Sequence, residues 1–513
     1  MGHGYYKIEK KPLGAMGHGT VGLMHATMAL YNAYCDRVPV FFMGGVIADG
    51  AERNWQDSAW HHAAQDAGAI VRDFVKWDDQ PVSLQHFAES AVRAYRVALT
   101  APQGPVLLQI DSELQERPIP PHHKLHIPKL TMPVPPVADS GAIAEIARLL
   151  VEAENPWISA DLYAESQQDV DRLVELAELL QCNVSSGGRM NFPSQHPLNG
   201  RPRNVDVILA LNSQNVYGLT HQFRDLIGNP QTSTVGPNTK VLSLGVMYTP
   251  QNSNFQDFQR FADLDLAATG NAAASMPMLI EAVKKLMTDN HRRRFQERGA
   301  RLAAARKTAF EAAQQNAMYA WDASPISTNR LAAELYAQIQ KEDWSFVVNG
   351  IGVSTALWKF DKHYQSIGSM GGGGLGYGPP AAVGAALANR KYGRLTVAVI
   401  GDGDMMYTSG ALWTAAHHRI PLLVVMHNNR AYHQEIMHIQ RMGNRRNRGL
   451  DRARIGCEIA DPNIDYAKLA QAMGCYAEGP IDNPKDLGPA LKRAIAQVKK
   501  GQPALVDAVT QGR

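Results

Sequence analysis

The chain has 513 residues, 45% of them hydrophobic, a length beyond one ordinary core that predicts about three domains of roughly 150–200 residues. A net charge of +3 excludes a field strong enough to make nucleic acid the main partner. Four scattered cysteines exclude a disulfide framework or zinc cluster, no apolar run reaches membrane-spanning length, and the N-terminus lacks a signal-peptide core, so a cytoplasmic protein with reduced thiols and no membrane partner is expected.

In chain order, a stretch rich in glycine and histidine holds His18, Gly22 and His25 and leads into the strand-like run Val38–Met43 (VPVFFM). Pro105–Ile110 (PVLLQI) is the next such run, and the first region ends near residue 120. Arg117–Val137 carries seven prolines. Proline fixes φ and removes a donor, which predicts an extended surface linker. The second region, 138–316, contains strands at Val205–Leu211 and Lys240–Leu244 and closes on an Ala/Arg-rich helical stretch. Ser324 or Ser327 is placed to cap the helix that opens the third region, 325–513. There the runs are Ser345–Val348, Leu395–Ile400, Pro421–Met426 and Pro503–Val509. Near-continuous apolar strands alternating with helices predict an α/β fold class, with three doubly wound parallel-sheet domains.

The third region carries the chemistry. Leu395–Ile400 runs directly into Gly401-Asp402-Gly403-Asp404, and Tyr407–His418 reads as the helix that follows. Ligands of open α/β sheets sit off the carboxyl ends of strands, and a helix N-terminus favours phosphate. Pro421–Met426 then ends at His427-Asn428-Asn429, so neighbouring strands deliver Asp402 and Asn429 to one sheet edge. A carboxylate, an amide oxygen, a backbone carbonyl and phosphate oxygens make a shell suited to Mg²⁺. GDG alone suits any strand-to-helix turn. GDG followed two dozen residues later by NN resembles the diphosphate–Mg²⁺ motif of thiamine diphosphate-dependent enzymes. The resemblance implies Asp402, Asn429 and the Ala431 carbonyl as metal ligands. It also implies Gly401, Gly403, Asp404 and Asn428 as cofactor-binding positions.

Two further segments fit that family. Gly368–Pro380 (GSMGGGGLGYGPP) looks like the glycine segment of the acetolactate synthase group. There a bulky apolar residue, Leu375 here, props the cofactor into a bent shape, while the Gly373 carbonyl and the Leu375 N–H hold its aminopyrimidine. Val348–Thr355 (VNGIGVST) resembles a second diphosphate-contacting turn, with Ser354 and Thr355 as donors.

Residues 1–46 resemble the family's pyrimidine-binding domain, with Gly22 on the second glycine of its GPG turn and His25 on the Asn of ATN. His18 or His25 would face the cofactor of a partner subunit, or each is simply a loop histidine. The family's activating glutamate precedes the matching segment by about six residues, ahead of Met1, together with the domain's first strand. Glu9 and Glu52 do not have the spacing to replace it. Three readings stay open: a start upstream of Met1, glutamate-free chemistry as in glyoxylate carboligase, or a cofactor-binding chain with impaired chemistry.

Past the NN pair, His433, Gln434 and Glu435 are placed to line the active site, with His433 and Gln434 as candidate catalytic groups. Arg441–Arg454 holds six arginines and reads as a solvated loop or as a lid that clamps a carboxylate. The middle region resembles the family's Rossmann-like domain, which binds FAD in acetolactate synthases. Trp157–Tyr163 (WISADLY) stands where the family often has a glycine-rich strand end, and this departure counts against FAD here. The resemblance therefore implies a thiamine diphosphate- and Mg²⁺-dependent carboligase or decarboxylase of a 2-oxo acid. Its alternatives are a hydrolase of a diketone C–C bond and a regulatory, cofactor-binding subunit. It further implies a homodimer or homotetramer with active sites between chains.

Overall fold

The structure, a computed structural model, describes residues 1–47, 59–222, 232–246, 260–349, 353–368 and 370–512. Its first sheet holds β1 (Gly14–Gly17), β2 (Phe41–Val46), β3 (Trp77–Asp79) and β4 (Val106–Asp111), in the order β1-β2-β4-β3. All its pairings are parallel. The associated helices are α1 (Gly2–Glu9), α2 (Thr20–Cys35), α3 (Leu84–Leu99) and α4 (Ser112–Glu116). The proline-rich segment that follows is largely exposed and has no regular element before Ser140.

The second sheet is built from β5 (Pro156–Ala160), β6 (Asn183–Ser186), β7 (Val207–Leu211), β10 (Lys240–Gly245) and β11 (Leu266–Thr269). Its order is β11-β10-β7-β5-β6, again parallel throughout. A two-residue pairing of β8 (His221–Gln222) with β9 (Thr232–Ser233) stands apart. Helices α5 (Ser140–Glu152), α6 (Gln167–Leu180), α7 (Tyr217–Thr220), α8 (Ala272–Leu286) and the long α9 (Asp289–Ala317) complete this layer. Every residue of β5 and β7 is buried, as expected for strands covered on both faces.

The third sheet places β12 (Trp344–Asn349), β13 (Leu395–Gly401), β14 (Leu423–Asn428), β15 (Tyr476–Ile481) and β16 (Ala504–Val509) in the order β12-β13-β14-β16-β15. Its helices are α10 (Thr328–Ile339), α11 (Gly378–Arg390), α12 (Asp402–Thr408), α13 (Ala411–His417), α14 (His433–Arg445), α15 (Tyr466–Ala472) and α16 (Pro484–Val498). Of the two candidate caps for α10, Ser327 is the one used: its hydroxyl accepts the Arg330 N–H at 3.2 Å. The helix expected over Tyr407–His418 is two short helices instead. The first begins at Asp402 itself, and Gly410, a poor helix former, stands at the break.

Helix α1 lies against α11 of the third layer, and Ile8 is buried in that layer's core. The approach is close: a Cβ on Gly4 would fall 2.0 Å from the Ala381 carbonyl oxygen, and one on Gly384 2.0 Å from that of Met1. The polar side of α1 meets the end of α2, where partly buried Asp36 accepts a hydrogen bond from His3 at 2.8 Å and pairs with Lys7. Burial alone raises the Asp36 pKa, but the Lys7 ammonium and His3 carry it down to about 2. Among the described residues no helix is long and apolar enough to cross a membrane.

Candidate active site

Strands β13 and β14 pair in parallel with Gly401 opposite His427, so their carboxyl ends meet at one edge of the sheet. Gly401 caps α12, and Asp402 is its first residue, 2% exposed. One Asp402 oxygen accepts the Gly403 N–H at 2.8 Å and the other accepts the Ala431 N–H at 3.2 Å. The Asn429 side-chain oxygen accepts the same Ala431 N–H at 3.1 Å. The two expected ligand side chains thus converge on the backbone of the third.

Burial pushes the Asp402 carboxyl up to about 6, against the pull of backbone N–H groups that include those of Gly403, Arg430 and Ala431, and among the described residues no lysine or arginine side chain pairs with it. A buried carboxylate beside an amide oxygen, without a countercharge, fits a cation that supplies the missing charge. No group of three His, Cys, Asp or Glu side chains among the described residues is placed to hold a metal, so a cation here would rely on oxygen donors of mixed type.

A cavity of about 320 Å³ opens at this edge, walled by Gly401, Asp402, Gly403, Asp404, Asn429 and Ala431. The glycine segment lines the same cavity through Gly373 and Leu375, and Leu375 is 38% exposed. Gly373 has φ +70° and Gly376 φ +86°, conformations that L side chains seldom adopt. His433 and Gln434, at the start of α14, line the same cavity. Gln434 lies 3.4 Å from the His438 ring nitrogen, and the His433 ring packs against Gly512.

Residues 350–508 match the family model described as "Thiamine pyrophosphate enzyme, C-terminal TPP binding domain". The chain carries this thiamine pyrophosphate enzyme domain. Benzoylformate decarboxylase of Pseudomonas aeruginosa is 25% identical, over 100% of this chain and 89% of the relative. Acetolactate synthase isozyme 3 large subunit of Escherichia coli is 22% identical, over 96% of this chain and 82% of the relative. A solved structure described as a thiamine diphosphate-dependent 4-hydroxybenzoylformate decarboxylase from Rhodococcus jostii RHA1 superposes with a TM-score of 0.74 at 20% identity. It covers 100% of this chain and 90% of the other, a likeness of fold. The chain is thus related along its length to thiamine diphosphate-dependent enzymes of the acetolactate synthase and decarboxylase group.

Within the TPP-binding domain some expected residues take other positions. Asn428 does not face the cavity: its amide donates to Asp507 at 2.9 Å inside the sheet. Strand alternation explains this, since His427 and Asn429 share one face and Asn428 lies on the other. His427, 3% exposed and lining the cavity, is a residue that the same alternation identifies and that motif reading passes over. Asp404 binds the protein's own loop. Its carboxylate accepts the Gly376 N–H at 2.6 Å and the Gly378 N–H at 3.0 Å, stapling the glycine segment to α12. Burial raises its pKa, against the pull of those donors.

Ser354 and Thr355 do not line this cavity. Ser354 lines a separate groove with Asn316, Tyr336 and Trp358, and the Thr355 carbonyl accepts the Trp358 N–H at 3.0 Å. Gly350–Gly352 of that turn lie outside the described residues, as does Glu52. Glu9 is engaged elsewhere, by Lys391 and by Tyr392 at 3.2 Å.

The turn between β1, which ends at Gly17, and α2 is His18-Gly19, so Gly22 sits inside α2 and not in the turn. His18 stacks edge-on against His62 at 4.6 Å and lines a cavity of about 200 Å³ at the edge of the first sheet. His25 is exposed on α2. None of Gly22, His18 and His25 lines the cavity at Asp402. The arginine-rich segment is not all loop, since Arg441 and Arg445 belong to α14.

At the end of β5 the backbone N–H groups of Asp161 and Leu162 go to Leu211 and Asn212 carbonyls. Those of Ala164, Glu165 and Ser166 go to the side chains of Asn191 and Asp169. Asp161 and Asp169 thus place carboxylates where a dinucleotide phosphate needs donors, so this turn does not fit FAD.

Proposed function

We propose that the chain is a thiamine diphosphate- and Mg²⁺-dependent carboligase or decarboxylase acting on a 2-oxo acid. The convergence of buried Asp402, with no lysine or arginine side chain paired to it among the described residues, and Asn429 in the lining of the cavity carries this reading. Asp402, Asn429 and the Ala431 carbonyl would hold Mg²⁺, and the Gly401–Asp404 turn would receive the diphosphate. Gly373 and Leu375 would hold the aminopyrimidine end. Bound thiamine diphosphate supplies a nucleophilic carbon and an electron sink for chemistry at a carbonyl. This chain's own residues orient the substrate, exclude water and move protons. His433 and Gln434 line the cavity and would be the hydrogen-bonding groups for that work.

A 2-oxo acid as substrate is supported by the related decarboxylase and synthase, each aligned along nearly the whole chain. We place the active form in the cytoplasm as a homodimer or homotetramer. His18 and His25 belong to this proposal only through a partner chain, since neither lines the cavity within its own.

Calorimetric titration with Mg²⁺ and thiamine diphosphate tests binding, and carbon dioxide release from pyruvate and benzoylformate tests turnover. The reading expects stoichiometric binding and turnover of at least one acid. Turnover of a cyclic diketone alone would move the assignment to C–C bond hydrolysis, and binding without any turnover would move it to a regulatory subunit. Light scattering that finds only monomer would remove the oligomer from the proposal.

A further inference from the structure

The glycine segment is held at a second point, from far away in sequence. Asn32, in the last turn of α2, is 3% exposed. Its side-chain amide donates to the Gly374 carbonyl at 3.2 Å, and its side-chain oxygen accepts the Gly374 N–H at 3.2 Å. One side chain thus satisfies both backbone groups of one residue 342 positions away. The approach of loop to helix crowds the positions where Cβ atoms would stand at Gly371, Gly372 and Gly374. A Cβ would lie 2.4 Å from the Asp36 nitrogen at Gly371, 2.7 Å from the Tyr31 ring at Gly372 and 2.3 Å from Met28 at Gly374. Gly371, against backbone, and Gly372, against a ring, are what this contact requires, independently of any ligand.

Gly374 is the residue between the two cavity-lining positions Gly373 and Leu375, and Asp404 fixes the next turn through Gly376 and Gly378. The two cavity-lining residues of this segment, Gly373 and Leu375, are therefore clamped from both sides. One clamp comes from the first layer of the fold and the other from the third.

We propose that Asn32 is a positioning residue for the cofactor ring: it sets the height of Gly373 and Leu375 in the cavity without touching the ligand. The proposal rests on the thiamine diphosphate reading. It assigns Asn32 to the ring end only, because the diphosphate end is built from α12 and the end of β14. Alanine at 32 leaves both Gly374 groups without their partner. Aspartate keeps the acceptor, loses the donor and sets a carboxylate against a carbonyl oxygen.

The test compares wild type, Asn32→Ala and Asn32→Asp for binding of thiamine diphosphate and of inorganic pyrophosphate, each with Mg²⁺, by calorimetry on the full chain. Loss of two hydrogen bonds that order the ring contact predicts about tenfold weaker thiamine diphosphate binding in Asn32→Ala, with pyrophosphate binding unchanged. Equal loss of both ligands would make Asn32 a merely structural residue and overturn the proposal. Unchanged binding of both would overturn it as well. If Asn32→Ala does not fold, Asn32→Asp carries the same comparison, and Asn32→Ser, with a hydroxyl that can satisfy one of the two groups, gives the intermediate case. A wild-type protein that binds Mg²⁺–pyrophosphate but not thiamine diphosphate would sink the cofactor reading itself, and this proposal with it, before any variant is made.

Discussion

The ends of β5 and β13 occupy the same place in their sheets, each a parallel strand passing through a turn into a helix, and they are built for opposite purposes. After β13 come two glycines around a buried carboxylate, and a cavity opens beside it. After β5 come Asp161, Leu162 and Tyr163, and the turn closes on itself through Asn191 and the Ser166–Asp169 capping box. Topology supplies a crevice at every such strand end. Whether the crevice accepts a ligand depends on whether neighbouring side chains have already consumed the backbone donors.

The strongest way to break this contrast is to remove the acid from each turn. Asp402→Ala should weaken Mg²⁺-dependent thiamine diphosphate binding by at least about 100-fold, some 3 kcal/mol. Asp161→Ala should leave that binding unchanged, and a comparable loss from Asp161→Ala by calorimetry would end the distinction.

Acidity gives the next effect. The Asp402 carboxyl is raised by burial to about 6, so the metal-free folded state binds its proton more tightly than the unfolded chain does. Metal-free stability should therefore fall as pH rises from about 4 through about 6, by roughly 2–3 kcal/mol for this group. Asp507, also raised by burial to about 6, adds to the same slope. Mg²⁺ competes with the proton, so its affinity should drop as pH falls below about 6. Asn at position 402 should remove that competition and flatten part of the stability slope, as urea titrations across pH would show.

Asp404→Ala frees the Gly376 and Gly378 N–H groups and should cost about 1–3 kcal/mol of stability in urea unfolding. Asp169→Ala, which opens the box on α6, should cost about 1 kcal/mol and leave cofactor binding alone. The smallest effect belongs to Ser354→Ala, expected to change thiamine diphosphate affinity by less than about twofold, a shift well under 1 kcal/mol. A large loss there would return that turn to the cofactor site.

Sequence patterns located most strands of the three sheets to within a few residues, because apolar runs covered on both faces have few other uses. They also brought Asp402 and Asn429 together, because adjacent parallel strands end at the same edge, whereas Ala431 came only from the family resemblance. What escaped is side-chain direction and long-range contact. Asn428 needed strand alternation to be turned inward, and Asp404 needed the loop beside it to show that its partners are Gly376 and Gly378. The position of Gly22 depended on where α2 begins, and Gly19, not a later residue, caps that helix. Asn32 had no local signal at all, since its partner is defined only by the folded chain.

The packing of α1 on α11 has a consequence in time. Ile8 finishes a core whose other members are made hundreds of residues later, and Gly4 and Gly384 let the two backbones touch. During synthesis the first helix must wait, with its apolar side uncovered, until the last third of the chain has emerged. Such non-local closure slows folding and exposes the waiting segment to aggregation. Refolding of the full chain should therefore depend on protein concentration more steeply than refolding of the middle layer's own signal.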